Sequence, residues 1–286
     1  VYYGTVHEEA TLALARACLE SGQRAFVGRV AMDHPEGTPE WYRDASAADG
    51  VRASRRSIEQ ITALPDPYRL VQPIITPRFI PACSDDLLRG LGDLAAETGV
   101  LVQTHCSESD WEHGYVIERH ACTDTESLRR FGLLRRGTVL AHGNHLGDDD
   151  FSLIRTAVGL GSDVSGGAHP GLLPQCAAAV TVSRMLEDGV DARLAPGDRG
   201  VPNSRIDTVA ALHVATKGGA DLLGIPAGLI EPGRHFDAIV VDTQREGSAL
   251  RYWDGLDDEE RIIEKIVRLT EPADISTVFV AGRQVA

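Results

Sequence analysis

A chain of 286 residues with 43% hydrophobic and 24% charged residues has the make-up of a water-soluble globular protein, long enough for one large α/β domain or two smaller ones. Its formal charge of −14 argues against nucleic acid as a partner, because holding a polyanion requires Lys and Arg against phosphates. No apolar run approaches the roughly 20 residues of a membrane span. Five cysteines (Cys18, Cys83, Cys106, Cys122, Cys176), odd in number and without a CxxC pair, speak against a secreted disulfide framework and for a reducing cytoplasm.

The chain begins in a β-type run, Val1 to His7, and Glu8 to Ser21 then has helical spacing (Leu12, Ala15, Leu19) stopped by Gly22. Arg24 to Val30 is a second strand. His34 to Gly50, with Pro35, Gly37 and Pro39, is a loop long enough for a lid or a substrate-side insertion. Ala53 to Leu64 is expected to be helical, Leu70 to Thr76 a strand, and Ser84 to Thr98 an amphipathic helix capped by Ser84. A strand from Val100 to His105 follows. Helices over 112–120 and 124–131 lead to the strand ending at His142, and a short helix over 148–156 leads directly to a strand ending at Asp163. Beyond it, 173–188 is expected as a helix with Met185 and Leu186 on its apolar side, 206–218 as another, Phe236 to Asp242 as a buried strand, and Ile263 to Arg268 and Ser276 to Val285 as further strands.

Alternating strands and helices define a parallel sheet with helical crossovers. Six parallel strands are expected, ending near Val6, Val30, Thr76, His105, His142 and Asp163, whereas a closed (β/α)8 barrel needs eight. Either the sheet is open, or two βα units of a longer polypeptide belong before Val1 and near the junction of Thr156 and Val158. The barrel would occupy residues 1–235, and residues 236–286 would form part of a small β-rich domain.

Chemistry concentrates at the strand ends. In Thr104-His105-Cys106-Ser107-Glu108 a β-branched run delivers a histidine at the C-terminal mouth of a parallel strand, with a carboxylate three positions on. His142 and Asp163 end the next two strands. Imidazole and carboxylate at consecutive strand ends suit Zn2+ with a position open for water, although any one of them alone would be an ordinary strand-end residue. Glu108 would transfer protons, or equally serve as a helix N-terminal carboxylate. After Thr76-Pro77, Arg78 offers a planar fork of donors and Phe79 a stacking face for a flat ring. His7, His145 and His169 are near enough to strand ends to line the same cavity. Strand alternation points Cys106 away from the mouth, so it is not a nucleophile.

These residues carry a resemblance. Thr5-Val6-His7, Gly22 to Val30 with Met32-Asp33, Pro73 to Phe79, Thr104 to Glu108, Leu140 to Gly143 and Gly159 to Gly167 together resemble the guanine deaminases of the amidohydrolase superfamily along nearly the whole chain. The resemblance implies the (β/α)8 fold and hydrolysis of guanine to xanthine and ammonia by a zinc-activated water. It implies that His105 and Asp163 bind zinc, that His142 stands against the reacting water, and that Glu108 passes protons to the ring. Arg78 and Phe79 would hold the purine, and His105, Glu108 and Asp163 would line its cavity. Either Asp163 or Glu108 would first deprotonate the water. A homodimer is implied as well. The family's His-x-His pair, which supplies two further zinc ligands, has no counterpart in these 286 residues. The rival readings are a deaminase or hydrolase of another purine or a triazine, and a metal-free barrel serving as a binding module.

Overall fold

The computed structural model describes residues 1–154, 157–164 and 166–286 and divides into two compact units, Val1–Thr156 and Ala157–Ala286. In the first unit the strands are β1 (Tyr2–Tyr3), β2 (Ala25–Gly28), β3 (Val30–Ala31), β4 (Val71–Pro73), β5 (Thr76–Pro77), β6 (Gln103–Cys106) and β7 (Val139–His142). All pairings among them are parallel: Tyr2 lies opposite Val27, Ala25 opposite Val71, Val30 opposite Thr76 and Gln103 opposite Val139. The Ile75–Val102 bridge joins the ladders, with the Ile75 amide donating to the Leu101 carbonyl and the Gln103 amide to the Ile75 carbonyl, each at 2.9 Å. Spatial order therefore equals chain order, the arrangement in which each crossover helix lies beside the strands it connects.

The expected strands at 24–30 and 70–76 are each present in two pieces. Ile74 still donates to the Val27 carbonyl at 3.2 Å, while Ile75 turns to the next strand. The 70–77 segment is thus a central strand, bonded to β2 and β3 on one side and to β6 on the other.

The helices of this unit are α1 (Glu8–Glu20), α2 (Ala47–Thr62), α3 (Asp85–Thr98), α4 (Asp110–His120), α5 (Asp124–Arg130) and α6 (Asp148–Leu153). Ser84 Oγ accepts the Leu87 amide at 3.1 Å to start α3, and Gly99, at φ 68°, ends it. Between these caps Leu87, Leu88, Leu91, Leu94 and Ala95 pack with Ile75, Val102, Cys106 and Leu128 in the main core. Each buried leucine contributes on the order of 1.5–3 kcal/mol.

Helix α2 starts earlier than expected because Ser46 caps it, accepting the Asp49 amide at 3.2 Å. The segment before it is not a free lid. Asp44 is buried against Arg29, whose Nη1 donates to Asp44 Oδ2 at 3.0 Å and whose Nε donates to the Val6 carbonyl at 2.9 Å, and Asp44 Oδ2 also accepts the Met32 amide at 3.1 Å. This pair ties the 34–46 segment to the ends of β1 and β3.

In the second unit, α7 (Leu172–Asp188) packs with α8 (Thr208–His213) and α10 (Glu259–Leu269) around Cys176, Val180, Ala211 and Val267. Helix α8 continues through a π-helical turn, Val214–Gly218, into α9 (Gly219–Leu222). Strands β8 (Ala238–Val241), β9 (Ile275–Val280) and β10 (Arg283–Gln284) form an antiparallel sheet.

Four expectations fail here, the first being the burial of the 236–242 strand, since Ile239 and Val240 in β8 are each 46% exposed. The 263–268 stretch is helical: Ile263, Ile266 and Val267 follow helical spacing, Asp258 accepts the Arg261 amide at 2.9 Å, and Glu264 pairs with Arg268, so periodicity and capping outweigh β-branched content. Residues 158–163 form no strand. Gly159 and Gly161 weaken a ladder, and the segment instead runs closely past helix backbone, where a Cβ on Gly218 would lie 2.3 Å from the Val158 carbonyl oxygen. Met185 and Leu186 are exposed, because α7 buries Cys176, Val180 and Ser183. The expected helix end at Thr156, the junction beside it and Ser165 of the glycine-rich motif lie outside the described residues. No described helix is long and apolar enough to cross a membrane.

Candidate active site

The first unit gathers five of the six expected site residues at the C-terminal ends of its parallel strands. His105, next to last in β6, has both its amide and its ring tied to one atom: the amide donates to the Arg78 carbonyl at 3.1 Å, and Nδ1 lies 2.7 Å from the same oxygen. A carbonyl can only accept, so Nδ1 carries the proton and the Nε2 lone pair is left free. Burial holds the His105 imidazole below its ordinary range, with the Arg78 carbonyl pulling the other way. Burial thus favours the neutral ring, with Nε2 as a ready donor of electrons. A histidine fixed through its other nitrogen by a carbonyl is how metal-bound imidazoles are held, so the donor chemistry of His105 fits zinc.

The rings of His105 and His142 stack, 5.5 Å apart and 18° from parallel, and the Tyr3 ring is 4.3 Å from His105 on another side. His142 ends β7 at φ 73°, and Ser107, just past β6, has φ 52°. Two neighbouring strand ends thus hold non-glycine residues in left-handed backbone, a strain of about 1–3 kcal/mol each that clusters at functional sites. His142 Nε2 lies 3.7 Å from Glu108 Oε2, whose side chain is half exposed to the mouth. The Arg78 guanidinium lies over the Phe79 ring, 5.1 Å from its centroid, and Phe79 is 6.2 Å from Trp111 at the start of α4.

Asp163 belongs to the second unit. It is exposed, has φ 45°, and its carbonyl accepts the Gly167 amide in a tight turn rather than ending a strand. Among the described residues no group of three or more His, Cys, Asp and Glu side chains has the geometry of a metal site. Of the accessory histidines, His7 precedes α1 with its ring 5.7 Å from Tyr42, His169 Nδ1 accepts the Gly171 amide in the second unit, and His145 stacks on His113 at 5.3 Å. Cys106 is fully buried, and burial pushes its thiol far above the ordinary range, so it is inert as expected.

Sequence reasoning passed over the layer beneath Glu108. Glu112, 1% exposed on α4, accepts the Glu108 amide through Oε2 at 2.8 Å, while its Oε1 is buried without a partner among the described residues. Burial pushes its carboxyl up to about 7; the Glu108 amide opposes that rise, while Asp124 and Glu108 reinforce it. Asp124, fully buried at the start of α5, accepts the Ser107 amide at 3.2 Å and pairs with His113 Nδ1 at 3.0 Å. The clue was available: Glu112 lies one helical turn before buried Val116, on the inward face of α4.

The amidohydrolase family model matches residues 1–159 and 152–285, and the chain belongs to that family. Among curated proteins it is similar to guanine deaminase of Dictyostelium discoideum (28% identical, covering 99% of this chain and 67% of that protein), probable guanine deaminase of Schizosaccharomyces pombe (30%, 100% and 58%) and guanine deaminase of Homo sapiens (29%, 99% and 68%). The chain thus spans about three fifths to two thirds of these relatives. Among solved structures it superposes on a guanine deaminase from C. acetobutylicum with guanine in its active site (TM-score 0.84, 26% identity, 99% of this chain and 70% of that one). It also superposes on E. coli guanine deaminase (0.82, 23%, 99% and 68%), a likeness of fold.

Proposed function

We propose that the protein of which this chain is part deaminates guanine hydrolytically to xanthine and ammonia. The observation that carries the proposal is the cluster of His105, with a free Nε2, beside His142 and Glu108 and next to the Arg78–Phe79 pair, in a chain similar to guanine deaminases over 99% of its length. Zinc would be held by His105 of the first unit, whose Nε2 is free, together with a His-x-His pair outside these residues. When bound it supplies a water whose pKa is lowered toward roughly 7.

The chain's own groups do the rest. Phe79 offers a face to the purine, and Arg78 donates to a ring nitrogen or carbonyl. His142 orients the water, and Glu108 carries a proton from it to the ring nitrogen next to C2 and a second proton from the new C2 hydroxyl to the departing amino group, which leaves as ammonia. The balance is one C2–O bond made, the exocyclic C2–N bond broken, and one water consumed for each ammonia released. Arg78 also fixes the His105 tautomer through its carbonyl, so one residue both grips substrate with its side chain and orients the proposed ligand with its backbone.

A (β/α)8 barrel to which residues 1–235 contribute all but two βα units, a small β-rich domain of which 236–286 are part, a homodimer and a cytoplasmic location complete the proposal. Supporting it are the consecutive parallel strands of the first unit, the antiparallel β8–β10 sheet and five free cysteines. The test is steady-state ammonia release with the full-length enzyme on guanine, adenine and a triazine. Ammonia from guanine, with xanthine appearing in equal amount, is expected; release from another ring and none from guanine overturns the proposal.

A further inference from the structure

The peptide units around Glu108 are restrained from two sides. From below, Glu112 Oε2 accepts the Glu108 amide at 2.8 Å and Asp124 Oδ1 accepts the Ser107 amide at 3.2 Å. From the β7 side, Asn144 Nδ2 donates to the Glu108 carbonyl at 2.9 Å, the Asn144 amide donates to the Ser107 carbonyl at 2.9 Å, and the Gly143 amide donates to the Cys106 carbonyl at 2.9 Å. Every amide and carbonyl from the Cys106 carbonyl to the Glu108 carbonyl is thereby occupied. The turn these bonds hold is the one in which Ser107 takes its left-handed conformation. Glu112 contributes in an unusual way, since burying a carboxyl with one oxygen unpaired is costly.

We propose that Glu112 and Asn144 are positioning residues for Glu108, one gripping its amide and the other its carbonyl, so that the carboxylate is held within reach of the substrate ring. Neither touches substrate. This inference rests on Glu108 being the proton carrier in the proposed deamination.

Proton transfer depends steeply on placement, and a displacement of about 1 Å costs on the order of 100-fold. In full-length enzyme with guanine, Glu112→Leu and Asn144→Ala are each expected to lower kcat by at least about 10-fold with KM within about twofold of wild type, the pattern of a contact needed in the transition state. Glu112→Gln keeps an acceptor oxygen at the same reach and restores kcat to within about threefold of wild type.

The deciding measurement is the double variant. If Glu112 and Asn144 act through Glu108, then adding either substitution to Glu108→Gln costs at most about twofold more, whereas independent effects multiply. Asn144 is on the surface, so its variant folds even if Glu112→Leu does not. Wild-type kcat in Asn144→Ala, no rescue by Glu112→Gln, or multiplying losses in the double variants would overturn the inference while leaving deamination by Glu108 intact. Full turnover by Glu108→Gln alone would instead remove the proton carrier, and with it both the proposed mechanism and the inference.

Discussion

Removing the carboxylate of Asp44 tests whether the buried pair holds the first unit together. The Arg29 and Asp44 side chains are only 3% and 5% accessible, so neither charge has water to fall back on. Asp44→Ala leaves the guanidinium with the Val6 carbonyl as its remaining described partner and frees the Met32 amide from its bond. Breaking one side of a buried pair costs about 3–5 kcal/mol, because the surviving charge stays desolvated. The lost amide bond overlaps with that figure rather than adding to it. Replacing both residues (Arg29→Leu with Asp44→Leu) removes the stranded charge and, beyond the Met32 amide already freed in the single variant, leaves only the Val6 carbonyl unsatisfied, at about 1–3 kcal/mol. Urea unfolding of the full-length protein, followed by circular dichroism, measures both. A loss below about 1 kcal/mol in Asp44→Ala, or a double variant as unstable as the single one, would refute the reasoning.

Gly28→Ala should sharply lower the melting temperature or prevent soluble expression, since its Cβ would lie 1.8 Å from Thr76 Oγ1 and 2.6 Å from the Ile74 carbonyl oxygen; overpacking of this kind costs at least about 1–3 kcal/mol, and a wild-type melting temperature would contradict it. Glu108→Gln should leave the metal content of the full-length protein unchanged, read by metal analysis, while kcat on guanine falls by about 100-fold or more; a fall in metal content would make Glu108 a ligand instead. Glu112 gives stability a pH dependence. Its carboxyl is raised in the fold from 4.5 to about 7, so the folded protein binds the proton more tightly than the unfolded chain does, and stability should fall as pH rises through that window. The loss is on the order of 3 kcal/mol and should vanish in Glu112→Gln. An unchanged pH slope in that variant would mean that Glu112 titrates normally.

Much of the first unit was legible because its signals are local. Ser84 caps α3, Gly99 ends it, and apolar runs terminate at His105 and His142, which the structure stacks together. Arg78 and Phe79 were found as a pair, although not the use of the Arg78 carbonyl to set the His105 tautomer, since backbone roles leave no mark on residue identity. Glu112 was hidden for a related reason: burial of a carboxylate is decided by helices packing across the chain. In the second unit, β-branched residues suggested a strand where charge spacing and the Asp258 cap make α10. The run ending at Asp163 has strand composition, but a strand exists only by its neighbours, and residues 158–163 have no ladder among the described residues.

The agreement between spatial and chain order in β1 to β7 also bears on how the sheet is assembled. Each strand pairs with a segment synthesised shortly before it, as when Val139 meets Gln103, so the loop closed at every step is of similar and moderate length. The entropy of closure grows only slowly with such lengths. The first unit can therefore grow at one free edge while the ribosome is still extending the chain. The turn at Ser107 to Glu108 becomes fully bonded only when Gly143 and Asn144 arrive with β7, which makes the candidate site one of the last parts of the growing sheet to take shape.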